Sequence, residues 1–152
     1  MKSHLIPLLM ASAMYLTTTT AGAQPTSLEL AQAFVCAAKG KCLLPYDNPE
    51  VQAVHADLAD LSNFCRDTTK GTVAISDRIA FARAKLDAFQ NLMDLMHDFK
   101  PIAQAHCASF SIDAMLNAYV LERNHGATHP ETIAQLIKDP EHLLKKWKGK
   151  KG

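Results

Sequence analysis

Met93, Met96 and His97 place two thioethers and an imidazole at i, i+3 and i+4, a soft donor set that suits Cu(I). Both methionines also fall in an apolar stripe, where a flexible side chain fills irregular interior space, and the spacing favours that packing role over a metal. His125 and His129 are four apart, but Gly126 and a cap at Thr128 put a helix boundary between them, leaving a loop site as the only metal geometry they offer. Asp87, Asp94 and Asp98 form the one carboxylate row, with Arg83 on the same side. Read as a helix face, this row is solvated and available to a basic cleft on another protein. Tyr46, Arg66 and Arg78 are further side chains of the kind that anchor interfaces. No cofactor is expected.

The sequence holds no CxxC, CxxCH, GxSxG or phosphate-binding glycine loop, so no catalytic set is expected and the chain is not read as an enzyme. His97-Asp98 followed by an aromatic resembles the His-Asp pair of the secreted phospholipases A2. The glycine-rich calcium loop and the cysteine flanking the pair in that family are absent, and nothing is carried over from it.

The elements that position these residues follow from periodicity. Ile79, Ala82, Leu86, Phe89, Met93 and Met96 recur at spacings of three and four, which predicts one long helix from Ser76 to Lys100 at the centre of the molecule. Ahead of it, a capping box at Thr26-Ser27-Leu28-Glu29 opens a helix over 27–39 that Gly40 stops. Asn48 or Asp47 caps a second helix, which starts at Pro49 and runs to about Arg66. Beyond Pro101, which marks a kink or break, a fourth helix reaches about Asn124 with little polar face. Two short helices follow, opened at Thr128 and at Asp139-Pro140. No alternating β-branched run and no internal repeat appears. The expected fold is all-α, a small antiparallel bundle of about five to six helices stabilised by disulfides.

Cys36, Cys42, Cys65 and Cys107 are the candidates for those bridges. In such a bundle Cys65 and Cys107 lie at opposite ends of the long helix, roughly 30 Å apart at 1.5 Å per residue, whereas a bridge needs Cα atoms within about 7 Å. Their direct pairing therefore requires a sharp bend at Pro101 or at Ser109-Phe110-Ser111. A local bridge between Cys36 and Cys42 remains open, as does Cys36 with Cys65 and Cys42 with Cys107. The four do not all pair without distorting some part of this arrangement.

Lys2, the apolar run from Leu5 to Leu16 and the small residues Ala21-Gly22-Ala23 form the three regions of a secretory signal peptide. Cleavage at residues 1–23 leaves a mature chain from Gln24 with no further segment long enough to span a membrane, and the cysteines suit an oxidising compartment. The expected location is periplasmic or secreted. Residues 24–144 form one acidic helical domain, and Lys145, Lys146, Lys148, Lys150 and Lys151 make 145–152 a basic tail that suits weak contact with an anionic surface. An exported helical body of this kind points to a protein-binding module of the cell envelope. An inhibitor or immunity protein, or an accessory subunit of a secretion or conjugation system, fits equally; a copper-binding protein or envelope chaperone is the alternative. The expected partner is another envelope protein, with no nucleic acid.

Overall fold

The computed structural model describes residues 26–40, 44–66 and 72–148. The expected signal peptide at 1–23, Cys42 and the last four residues lie outside them. Seven helices and no strand occur among the described residues: α1 Ser27–Lys39, α2 Pro49–Phe64, α3 Thr72–Ala84, α4 Leu92–His106, α5 Ile112–Asn124, α6 His129–Lys138 and α7 Pro140–Lys148. They form a helical bundle around one buried cluster, with Leu58, Leu61, Ile79, Phe99, Ile102 and Tyr119 fully enclosed. No helix among the described residues is long and apolar enough to cross a membrane.

Local signals place most of the ends. Thr26 and Glu29 form the expected capping box, and Gly40 closes α1 in the left-handed region at φ 67°, which costs a residue without Cβ little. Asn48 caps α2 ahead of Pro49, and Thr128 with Glu131 makes the second capping box at the start of α6.

The single helix expected from Ser76 to Lys100 is two. α3 begins at Thr72 and ends at Ala84, and α4 begins only after Asn91, whose side chain accepts from the backbone N–H groups of Met93 and Asp94. Hydrogen bonds from elsewhere hold the connection open. Asn124 on α5 accepts from the Asp87 N–H and donates to the Lys85 carbonyl, and Arg83 donates to the Gln90 carbonyl. The apolar stripe is correspondingly split. Ile79, Ala82, Leu86 and Met96 are buried, but Phe89 is 78% exposed.

Pro101 neither breaks nor starts a helix. It lies inside α4, on the solvent side, with Phe99, Ile102 and Ala103 buried around it. An interior proline costs about 3 kcal/mol, and the burial of these three neighbours opposes that cost. The break comes instead at Ser109 to Ser111, where Ser111 caps α5 by accepting from the Ala114 N–H.

This recount changes the disulfides. With α3 running back between them, α2 and α4 point the same way: Asp57 meets His97 and Lys100, Asp60 meets Lys100, and the two C-caps, Cys65 and Cys107, come together. Cys65 and Cys107 form a disulfide with Cα atoms 5.0 Å apart. The expected gap of one long helix does not exist, and the crossed pairing of Cys36 with Cys65 is excluded. Cys36 is buried on α1.

Three of the lysines expected in the basic tail are helical. Lys145, Lys146 and Lys148 lie on α7, and Trp147 between them is buried.

Candidate functional site

Three polar clusters join helices across the bundle. Asp57 on α2 is buried and accepts from His97 Nδ1 at 3.0 Å and Lys100 Nζ at 2.8 Å, while Lys100 also meets Asp60 at 2.7 Å. These bonds, Asp57 first and Asp60 next, hold the Lys100 ammonium above its ordinary value. Glu122 on α5, also buried, accepts from Trp147 Nε1 at 2.8 Å and Lys146 Nζ at 2.6 Å, which fastens α7 to the body.

The third cluster runs from α4 to α6 to α5. Asp98 Oδ2 lies 2.8 Å from His129 Nε2, and His129 Nδ1 lies 2.7 Å from the Tyr119 hydroxyl. A carboxylate accepts only, so Nε2 donates to Asp98, and in the neutral ring Nδ1 accepts from Tyr119. Burial raises the Tyr119 phenol above its usual range, against the lowering effect of Arg123. The order acid, imidazole, hydroxyl is that of a nucleophilic triad. Tyr119 is nonetheless 0% exposed and packs edge-on against Phe99, so its oxygen is sealed from an incoming substrate and the relay binds three helices together.

The other sequence candidates are dispersed. Met96 is enclosed in the core, Met93 packs at its edge, and the His97 side chain is 69% exposed and held by Asp57. His125 Nδ1 donates to the Leu121 carbonyl, and its ring stacks 4.5 Å from the Trp147 ring, whereas His129 belongs to the relay. Among the described residues no group of three or more His, Cys, Asp or Glu side chains is placed to hold a metal ion. The aspartate row is not one face: Asp87 stands in the α3–α4 connection, Asp94 is in the first turn of α4, and Asp98 is engaged by His129. Arg83 lies under Phe89, 5.0 Å from the ring centre. Arg78 pairs with Asp113, and Tyr46 is exposed beside the start of α2.

A different surface gathers apolar groups at the boundary with solvent. α5 shows Asp113, Asn117 and Leu121 outward, one turn apart, between α3 and α7. On the α3 side lies a recess of about 530 Å³ lined by Phe81, Ala82, Leu116 and the Arg78–Asp113 pair. A second of about 470 Å³, on the α7 side, is lined by Ala118, Val120, Leu121, Leu144 and Trp147. Lys85 and Asn117 line both, so the two recesses adjoin at these side chains and together make up a grooved surface along α5. Phe81 at 63% and Leu121 at 36% exposure stand on it, and the Lys85 ammonium lies 4.1 Å above the Phe81 ring, within cation–π range.

The sequence reading missed this groove because α5 reads as apolar nearly all round. The available signal was the spacing of Asp113, Asn117 and Leu121, a one-residue-wide outward stripe with an apolar member. Against protein-family models, curated proteins and solved structures, the chain has no match.

Proposed function

We propose that the chain is an exported protein-binding module of the cell envelope, acting as an inhibitor or immunity protein or as an accessory subunit of a secretion or conjugation system. The observation that carries this reading is the groove along α5, where Phe81 stands exposed in the α3 recess and Leu121 in the α7 recess with buried Trp147. Large apolar side chains held at the rim of a concave surface are what a partner's anchors bury against. The secretory pattern at the N-terminus and a disulfide at Cys65–Cys107 support a location in an oxidising compartment.

The test is a photo-crosslinking residue at Asn117, in the middle of the groove, in the full chain expressed in the cell that encodes it. The expected result is one discrete adduct in the envelope fraction, containing a chain that begins at Gln24 and disappearing when Leu121→Glu is added. An adduct that survives Leu121→Glu, or one formed from a crosslinker at Tyr46 and never from Asn117, would move the partner site elsewhere.

A further inference from the structure

The α7 half of the groove has an asymmetric charge. Its two charged lining residues are Lys85 and Lys148, both exposed, and Lys85 is directed over the Phe81 ring rather than toward a carboxylate. Glu141 is taken by Lys145 and Glu122 by Lys146 on the same helix, α7. The α3 half is balanced, with Asp77 and Asp113 against Arg78 and Lys85. Because Lys85 lines both halves, an occupant meets apolar side chains along its length, one cation at the junction and a second, Lys148, in the α7 half, where no carboxylate lines the recess.

We infer that the groove receives an acidic amphipathic helix of the partner protein, laid along α5 with its carboxylates on Lys85 and Lys148. This rests on the protein-binding reading above and adds the chemistry of what binds. The 13 residues of α5 span roughly 20 Å, the length of about three and a half helical turns and enough for anchors at i, i+3 or i+4 and i+7. Both recesses are open to solvent, unlike the enclosed cavities that bury most of a small ligand. Asn117, exposed at the junction, would be left unsatisfied beneath an acyl chain, while a polar side chain of a helix satisfies it. A helix also brings its own negative pole, and seating its C-terminal end near Lys85 and Lys148 adds attraction.

The probe is an 18-residue amphipathic peptide with leucines on one face and glutamates flanking them, set against the same peptide with lysines in place of the glutamates. Trp147 is the chain's single tryptophan and lines the recess, so its fluorescence reports occupancy, with amide NMR shifts over 112–124 as the independent readout. The acidic peptide is expected to give a saturable shift of both signals and to bind at least about tenfold more tightly than the basic one at low salt. Lys85→Glu with Lys148→Glu should erase that preference, and Leu121→Glu should abolish binding; all three positions are surface-exposed, and thermal melts confirm folding of each variant. Equal binding of the two peptides, or no response in either signal, overturns the inference. So does an equivalent response to dodecanoate, which would assign the recess to an acyl anion. Self-association that Leu121→Glu abolishes would assign it to a second copy of the chain and overturn the inference likewise. The Asn117 crosslink is scored separately, so an adduct there with no acidic-peptide preference sinks the helix and leaves the protein-binding reading standing.

Discussion

Lys100 shows how one side chain serves two helices. Its ammonium bonds Asp57 and Asp60 on α2 from a position on α4, and the buried Asp57 in turn depends on it and on His97. Because these bonds raise the folded-state value above the ordinary 10.5, the folded protein holds the proton more tightly than the unfolded chain. The resulting stabilisation is present in full below about pH 10.5 and is lost as pH rises through the raised value. Tyr119 acts in the same direction, since burial raises its phenol as well. Urea denaturation from pH 8 to 11.5 should therefore show stability falling at the alkaline end, and Lys100→Gln should make that limb shallower while lowering stability at pH 8. A Lys100→Gln protein with an unchanged alkaline limb would show that the pair does not couple to folding. Lys100 is partly exposed, so solvent screening keeps the effect modest.

At the scale of elements, α7 carries the sharpest consequence. Trp147 is buried with its indole N–H on Glu122, so α7 belongs to the body and not to a loose tail. Truncation after Lys148 should leave the melting temperature within about 2 °C, whereas truncation after Leu144 should cost about 3–5 kcal/mol, the range for removing a large buried aromatic. Equal stability of the two truncated forms would return the lysines to the tail. The helical class, the caps at Thr26, Asn48 and Thr128, and the stop at Gly40 were legible in the sequence because each rests on two to four neighbouring residues. The split between α3 and α4 was obscured by a stripe that continues in phase through Leu86, Phe89 and Met93. What ends α3 is largely tertiary, Asn124 bonding the backbone at Lys85 and Asp87 from 37 or more residues away. The one local sign was Asn91 with Asp94 three residues on, an N-cap with an acid in the first turn. Pro101 misled in the opposite sense, since burial of its neighbours outweighs a local preference. The groove was illegible for a related reason: it depends on α3 and α7 flanking α5, and both boundaries were misplaced.

For the whole molecule, the count of helices decides which ends meet, and so decides the covalent frame. One helix more than the sequence suggested makes α2 and α4 parallel, and their C-caps close a disulfide across 42 residues. In the loop-entropy account, a closure of that length stabilises the fold by about 4 kcal/mol, against a total of roughly 5–15 kcal/mol for a domain of ordinary stability. On the proposed export route, a chain still in a reducing compartment lacks this contribution, and the bridge would couple folding to arrival in an oxidising one. Since Cys65 and Cys107 take each other, the intramolecular bridge left to the remaining cysteines is Cys36 with Cys42, across the turn that Gly40 makes. Non-reducing peptide mapping of protein recovered from an oxidising compartment should find both linked pairs. Replacing Cys65 and Cys107 together by alanine should lower the unfolding free energy by about 4 kcal/mol or slightly more, the excess reflecting loss of two buried sulfurs. A loss under about 1 kcal/mol would mean that packing between α2 and α4 already restrains the unfolded chain, and that the bridge does not gate folding by compartment.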